Sequence, residues 1–261
     1  MNINLINKVA VVCGSTQGIG LAIAKQLAAC GATVCLIARN PESMERILDS
    51  LPTPQQQQHF FAMADFTNVE SIQSAIDSIA AISKVDILVN NTGGPAAGQA
   101  IDADPILFMN AFQQHLICNQ MLAQAFVPGM KANRHGRIIN VISTSVKIPL
   151  RNLGVSNTIR GAVASWSKTL ANELGQYGIT VNNILPGATN TERLKTIIKN
   201  NAIKKNIPED EAKAEMLLEI PAARFGEPEE PGYVAAFLAS EYAAYINGIN
   251  IPVDGGRTGS L

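Results

Sequence analysis

The segment Gly14-Ser15-Thr16-Gln17-Gly18-Ile19-Gly20 lies between an apolar run and a helical pattern. Glycines let a backbone turn sharply and approach a pyrophosphate, and a helix start behind them offers free N–H groups and a positive dipole end. The chemistry this suggests is dinucleotide binding, although the spacing is G-x-x-x-G-x-G rather than G-x-G-x-x-G. The other residues of reactive type point elsewhere. Cys13, Cys30, Cys35 and Cys118 form no C-x-x-C pair, and three of them sit in apolar runs. They are expected to be buried reduced thiols, not disulfides or metal ligands, and no metal site is expected. His59 and His135 fall in polar loop settings and are expected to be solvated.

The elements that would position the glycine turn can be read from hydrophobic runs. Lys8 to Cys13 is a short Val-rich run of the buried parallel-strand type, Ile19 to Cys30 is helical and closed by Gly31, and Thr33 to Ala38 is a second buried strand. This is a βαβ unit with a right-handed crossover. The alternation continues with helices at Pro41 to Leu51, Val69 to Ile82, Asp104 to Met130, Ser156 to Tyr177 and Tyr233 to Ala239. Strands are predicted at His59 to Ala64, Val85 to Asn90, Gly136 to Ser143, Ile179 to Leu185 and Ile249 to Val253. Seven strands alternating with helices predict a Rossmann-type, doubly wound, seven-stranded parallel α/β sheet, with residues 1–261 as a single domain. Pro52 to Gln58 is read as a surface loop. The charged stretch Thr191 to Gly226, with helical spacing at Glu192 to Asn201 and Pro208 to Leu218, is read as a substrate lid over the carboxyl edge of the sheet, with a plain helical insertion as the alternative.

Composition narrows the partners. Hydrophobic residues make up 47% and charged residues 16% of 261, enough for a large core and too little charge for disorder. Lys+Arg total 20 against 21 Asp+Glu, which leaves neither a nucleic-acid footprint nor a polybasic membrane face. No apolar run reaches the ~20 residues of a membrane helix, and the N-terminus lacks a signal-peptide layout, so a cytoplasmic protein is expected.

Taken in order, several motifs make the chain resemble the short-chain dehydrogenase/reductase family along essentially its whole length. Gly14, Gly18 and Gly20 match the family's cofactor turn, and Asp65 matches the acid that meets the adenine. Asn90-Asn91-Thr92-Gly93 resembles N-N-A-G, and Ser143 falls at the catalytic serine. Pro186-Gly187 with Thr191 matches the P-G-x-x-x-T of the nicotinamide site, and Arg224-Phe225-Gly226 through Gly256 resembles the 3-oxoacyl-acyl-carrier-protein reductase branch. The resemblance implies a nicotinamide cofactor held by Gly14, Ser15, Gln17, Gly18, Ile19, Gly20, Arg39, Asp65, Asn91, Gly93, Arg160, Pro186, Gly187 and Thr191. NADP(H) is expected over NAD(H). The second strand ends in Ala38-Arg39, so the carboxylate that would bond a ribose 2′-hydroxyl is missing and a guanidinium that suits a 2′-phosphate follows. The opposing reading is a solvated Arg39 stacking on adenine.

The catalytic places depart from the family's Asn–Ser–Tyr–Lys set. Thirteen residues beyond Ser143 stands Ser156, where the family has tyrosine, and four further is Arg160, where it has lysine. His115, thirteen residues before Pro128, occupies the asparagine place. A serine hydroxyl is a far weaker acid than a phenol, and arginine is a poor proton relay. Lys147, four residues past Ser143, is a candidate replacement acid if partly desolvated near Arg160, and His115 a candidate water-mediated relay. The bland alternatives are a surface lysine and a packed helix histidine. Tyr177, Tyr233, Tyr242 and Tyr245 fall outside the expected site and are read as packing residues. The resemblance implies hydride transfer between NADP(H) and a carbonyl or alcohol, with a small molecule or a 3-oxoacyl thioester as substrate, and a homotetramer or homodimer. Two other readings stand beside it. One is a dinucleotide-binding sensor or partner protein of little activity, and the other is a non-redox enzyme on the same fold.

Overall fold

The computed structural model describes residues 2–260. Strand β1 (Val9–Cys13) runs beside β2 (Thr33–Ala38), and β2 beside β3 (Phe60–Met63). On its other side β1 pairs with β4 (Ile87–Asn90), followed by β5 (Gly136–Val141), β6 (Ile179–Pro186) and β7 (Asn250–Val253). Every pair is parallel, and among the described residues the order is β3-β2-β1-β4-β5-β6-β7. The chain winds outward from β1 in one direction and from β4 in the other. The crossovers therefore part at the carboxyl ends of β1 and β4 and open a crevice there.

Both faces of the sheet are covered, which is why the strands read as continuous apolar runs. Side chains still alternate. Ala10, Val12, Val34 and Leu36 enter one core with Ile23 and Leu27 of α1 (Gly18–Ala29) and Leu238 of α9 (Glu229–Ala239). Val11, Cys13, Cys35 and Ile37 enter the other with Ile72 and Ile79 of α3 (Val69–Ile82) and Leu122 and Met130 of α5 (Cys118–Ala132). The four cysteines are free, three of them buried, and the described residues hold no cluster of potential metal ligands. No helix of the described residues is long and apolar enough to cross a membrane.

Four expectations need correction. The helix predicted over Asp104 to Met130 is two helices, α4 (Pro105–Phe112) and α5, joined by a π-helical turn at Gln113–Ile117. A π turn inserts one extra residue into the helical repeat, which apolar periodicity does not register. The last predicted helix starts at Glu229, not Tyr233, because Pro231 lies in the first turn, where no intrahelical N–H is needed. Histidines 59 and 135 are half-buried, not solvated. His59 Nδ1 accepts the Val34 N–H at 3.0 Å and its Nε2 meets the Pro52 carbonyl at 3.0 Å, so the ring pins the Pro52–Gln58 loop to β2. His135 pairs with Glu241, which also holds the buried Arg137. Of the tyrosines read as packing residues, Tyr233, Tyr242 and Tyr245 are exposed, while Tyr177 lies beneath the Lys131 ammonium.

The remaining elements are α2 (Pro41–Leu48), shorter than predicted, α6 (Gly154–Leu174), and α7 (Glu192–Lys205) and α8 (Glu209–Leu218). The last two form a helical pair between β6 and α9. A row of four asparagines crosses the sheet. Asn90 donates to Asn140 at 2.8 Å, Asn140 to Asn183 at 2.9 Å, and Asn183 to Asn250 at 2.7 Å. All four share one register row of β4 to β7. Each amide offers both a donor and an acceptor, so the chain of bonds satisfies most of these polar groups in an otherwise apolar sheet, with the Asn90 Oδ1 at its end left unpaired among the described residues.

Candidate active site and cofactor turn

The glycine turn leaves β1 and enters α1 at the sheet's crevice. Gly14 and Gly18 have φ of 57° and 54°, a region that disfavours side chains. A Cβ on Gly20 would lie 2.1 Å from the Gly14 carbonyl oxygen, so the turn closes on itself only with glycine there. Asn91 follows β4 and clamps the turn, its Nδ2 donating to the carbonyls of Cys13 and Gly14, each at 3.2 Å. Asn91 thus shapes the cradle from behind. Ser15 is buried, its hydroxyl near the Ile37 carbonyl at 3.5 Å.

The start of α1 is electrostatically bare. Its N-cap, Gln17, makes no side-chain cap bond, and its first turn holds no acid. Helices α2, α3, α4 and α7 are capped by Asn40, Asn68, Asp104 and Thr191. Open N–H groups on Gly-flanked backbone at the positive end of a helix fit an anionic diphosphate. Thr191 closes the far side: a Cβ on Gly18 would meet its Cγ2 at 3.2 Å. Pro186 ends β6, and Gly187 packs against Asp254. Arg39 is exposed just past β2. Asp65 accepts the Thr67 N–H at 2.9 Å, which with the nearby Arg39 charge holds its carboxyl below the usual range.

Two of the altered catalytic places, Arg160 and His115, meet at the loop after β4. Arg160 of α6 is buried, 7% exposed, and donates from Nη1 to the Val141 carbonyl at 3.3 Å and from Nη2 to the Thr92 carbonyl at 3.2 Å. His115, 1% exposed, is turned inward by the π turn, and its Nδ1 meets Thr92 Oγ1 at 2.5 Å. Burial, then the charges of Arg160 and Arg193, push its pKa down to about 3, so the ring is neutral at pH 7. Burial and Arg193 likewise lower the Arg160 pKa to about 10, which leaves it cationic. Arg193, in the first turn of α7, reaches the same loop and donates to the Gly94 carbonyl at 3.0 Å and the Pro95 carbonyl at 3.3 Å. Sequence reading missed Arg193, since nothing in its neighbourhood marks it.

Ser143 ends β5's extension and accepts the Ser145 N–H at 3.1 Å. Ser156 is buried one helical turn before Arg160 on the same face of α6. Lys147, the candidate replacement acid, is exposed. Gly93 is also exposed, with nothing within 4 Å of a built Cβ.

Comparison with known proteins agrees with this geometry. Residues 14–258 match the enoyl-(acyl carrier protein) reductase family. The 3-oxoacyl-acyl-carrier-protein reductase of Vibrio cholerae is 34% identical over 97% of this chain and 98% of its own. The 7alpha-hydroxysteroid dehydrogenase of Escherichia coli is 31% identical over 100% of this chain and 98% of its own. The solved L-sorbose reductase of Gluconobacter frateurii, complexed with NADPH and L-sorbose, superposes with a TM-score of 0.93 at 31% identity, over all of both chains. With the parallel seven-stranded sheet, the glycine turn at its switch point and these matches along nearly its full length, the chain belongs to the short-chain dehydrogenase/reductase family of oxidoreductases.

Proposed function

We propose that the protein is an NADP(H)-dependent oxidoreductase that interconverts a carbonyl and an alcohol, with a 3-oxoacyl thioester among its candidate substrates. The observation that carries the reading is the uncapped, acid-free start of α1 beside an exposed Arg39 at the end of β2. Gly14, Ser15, Gln17, Gly18, Ile19 and Gly20 would line the diphosphate, Arg39 the 2′-phosphate, and Asp65 the adenine, with Asn91 holding the turn. Gly93, Pro186, Gly187, Thr191 and Arg160 would border the nicotinamide end. The bound cofactor would supply or accept the hydride.

The chain's own residues then have distinct parts. Ser143 would donate a hydrogen bond to the substrate oxygen. Arg160 brings a buried positive charge to the carboxyl ends of β4 and β5, where it would stabilise an oxygen gaining negative charge. Its grip on two backbone carbonyls fixes that charge in place. Residues 191–226, which carry α7 and α8, would close over the substrate. The partly exposed apolar residues Ile106, Leu107, Met109 and Phe112 of α4 support assembly into a homodimer or homotetramer.

A second reading, a dinucleotide-binding sensor of little activity, is favoured by one feature, the altered acid place. Ser156 stands at the tyrosine place, and His115 is unprotonated at neutral pH. Losing a positioned acid costs ~10²–10⁴ in rate. The deciding assay is oxidation of NADPH with an acetoacetyl thioester at high enzyme concentration, alongside equilibrium binding of NADPH and NADH. The expected result is tighter binding of NADPH, reduced at least tenfold in Arg39→Glu, with slow turnover. NADPH binding without turnover on any carbonyl would favour the sensor. Equal affinity for both cofactors in wild type and variant would refute the role given to Arg39.

A further inference from the structure

Two guanidinium groups grip one short loop. Arg160 reaches Thr92 from α6, and Arg193 reaches Gly94 and Pro95 from α7. Each has five N–H donors, and two of each set are spent on carbonyl oxygens. Among the described residues no carboxylate forms an ion pair with either arginine. The arginines are close enough to repel one another and to act on His115, which is itself neutral. The nearby acid Glu192 is engaged with Lys195. A buried cation beside a second cation, with no counter-charge paired to either among the described residues, is electrostatically unfavourable. The cost falls when an anion binds beside them, because guanidinium groups hold carboxylates through paired, charge-assisted hydrogen bonds.

We propose that the substrate is an anion, a small carboxylic acid bearing the reacting carbonyl or hydroxyl, and that Arg193 binds its carboxylate at the Thr92–Pro95 loop, within the positive field of Arg160, which is left for the reacting oxygen. This rests on the reading of the cleft as a nicotinamide-dependent oxidoreductase site. It assigns Arg193 as a specificity-determining residue carried by the lid segment. Since α7 brings this arginine to the loop after β4, a bound carboxylate would also tie the lid to the sheet edge.

Isothermal titration with malonate as the anionic probe and malonamide as its neutral isostere tests this, on the unloaded protein and on protein saturated with NADPH. The expected result is that malonate binds both forms and malonamide binds at least tenfold more weakly. Arg193→Gln should weaken malonate at least tenfold, and Arg193→Lys, which keeps the charge but loses the paired hydrogen bonds, should weaken it by less than Arg193→Gln does. Urea midpoints for the two variants near that of wild type confirm that both fold. Absence of malonate binding, equal binding of malonamide, or an Arg193→Gln protein that binds malonate like wild type would each overturn the proposal. Loss of malonate binding on saturation with NADPH would overturn it too, since the anion seat would then be that of a cofactor phosphate. Failure of NADPH itself to bind would instead refute the oxidoreductase reading, and the malonate titration of the unloaded protein would still decide the anion site.

Discussion

Replacing His115 with asparagine should change how stability depends on pH. The imidazole is 1% exposed and its native pKa is held down to about 3, first by burial and then by the Arg160 and Arg193 charges. In the unfolded chain it returns to about 6.5. The unfolded state therefore binds more protons than the native state between these values, so stability rises with pH there. The His115 contribution is fully present above pH 6.5 and is lost progressively as pH falls towards 3. At pH 5 nearly all unfolded histidines are protonated and almost no native ones are, so the chain loses about 2 kcal/mol between pH 7 and pH 5 from this residue alone. Asparagine keeps a polar group for Thr92 and does not titrate. Urea unfolding at pH 5, 6, 7 and 8 measures the difference. Wild type should lose about 2 kcal/mol more than His115→Asn between pH 7 and pH 5, with the background from His59 and His135 common to both. Parallel stability curves for the two proteins would refute the argument, and would mean that the ring is hydrated or paired with a carboxylate.

Two further changes test the cradle and the sheet. Gly20→Ala would drive a Cβ to 2.1 Å from the Gly14 carbonyl oxygen, so the glycine turn must open; NADPH affinity, read by nucleotide fluorescence, should fall by more than tenfold, and unchanged affinity would contradict the role of this turn. Asn140→Leu removes the middle of the asparagine row and leaves the Asn90 amide and the Asn183 carbonyl oxygen without their partner. A buried polar group stripped of its bond costs roughly 1–3 kcal/mol, so a loss of about 3 kcal/mol in urea unfolding is expected. A loss below about 0.5 kcal/mol would show that water or a shifted register satisfies these amides.

Much of the fold was legible because its signals are local. Thr33 to Ala38 and Val69 to Ile82 coincide with the observed β2 and α3. A short apolar run, an apolar stripe at helical spacing, or a glycine cluster between strand and helix carries its meaning within a dozen residues. The family motifs were legible for the same reason, and they led to the glycine turn and to the departures at Ser156 and Arg160. Local signals also misled. Proline in a first turn delayed the predicted start of α9, and the π turn inside an unbroken apolar pattern was invisible, although it is what turns His115 into the protein.

What tertiary structure alone decided are meetings between distant residues. Asn90, Asn140, Asn183 and Asn250 form a row only because four parallel strands align in one register, and no sequence spacing announces it. Arg160 and Arg193 belong to different helices and meet only at the carbonyls of the loop after β4. Lys147 shows the reverse, a plausible position in sequence that the fold leaves exposed. Sequence determines which segments become strands and helices, because hydrophobic period and backbone freedom act over a few residues. The charge, burial and partners of a site arise where segments cross, and those depend on the packing of the whole chain.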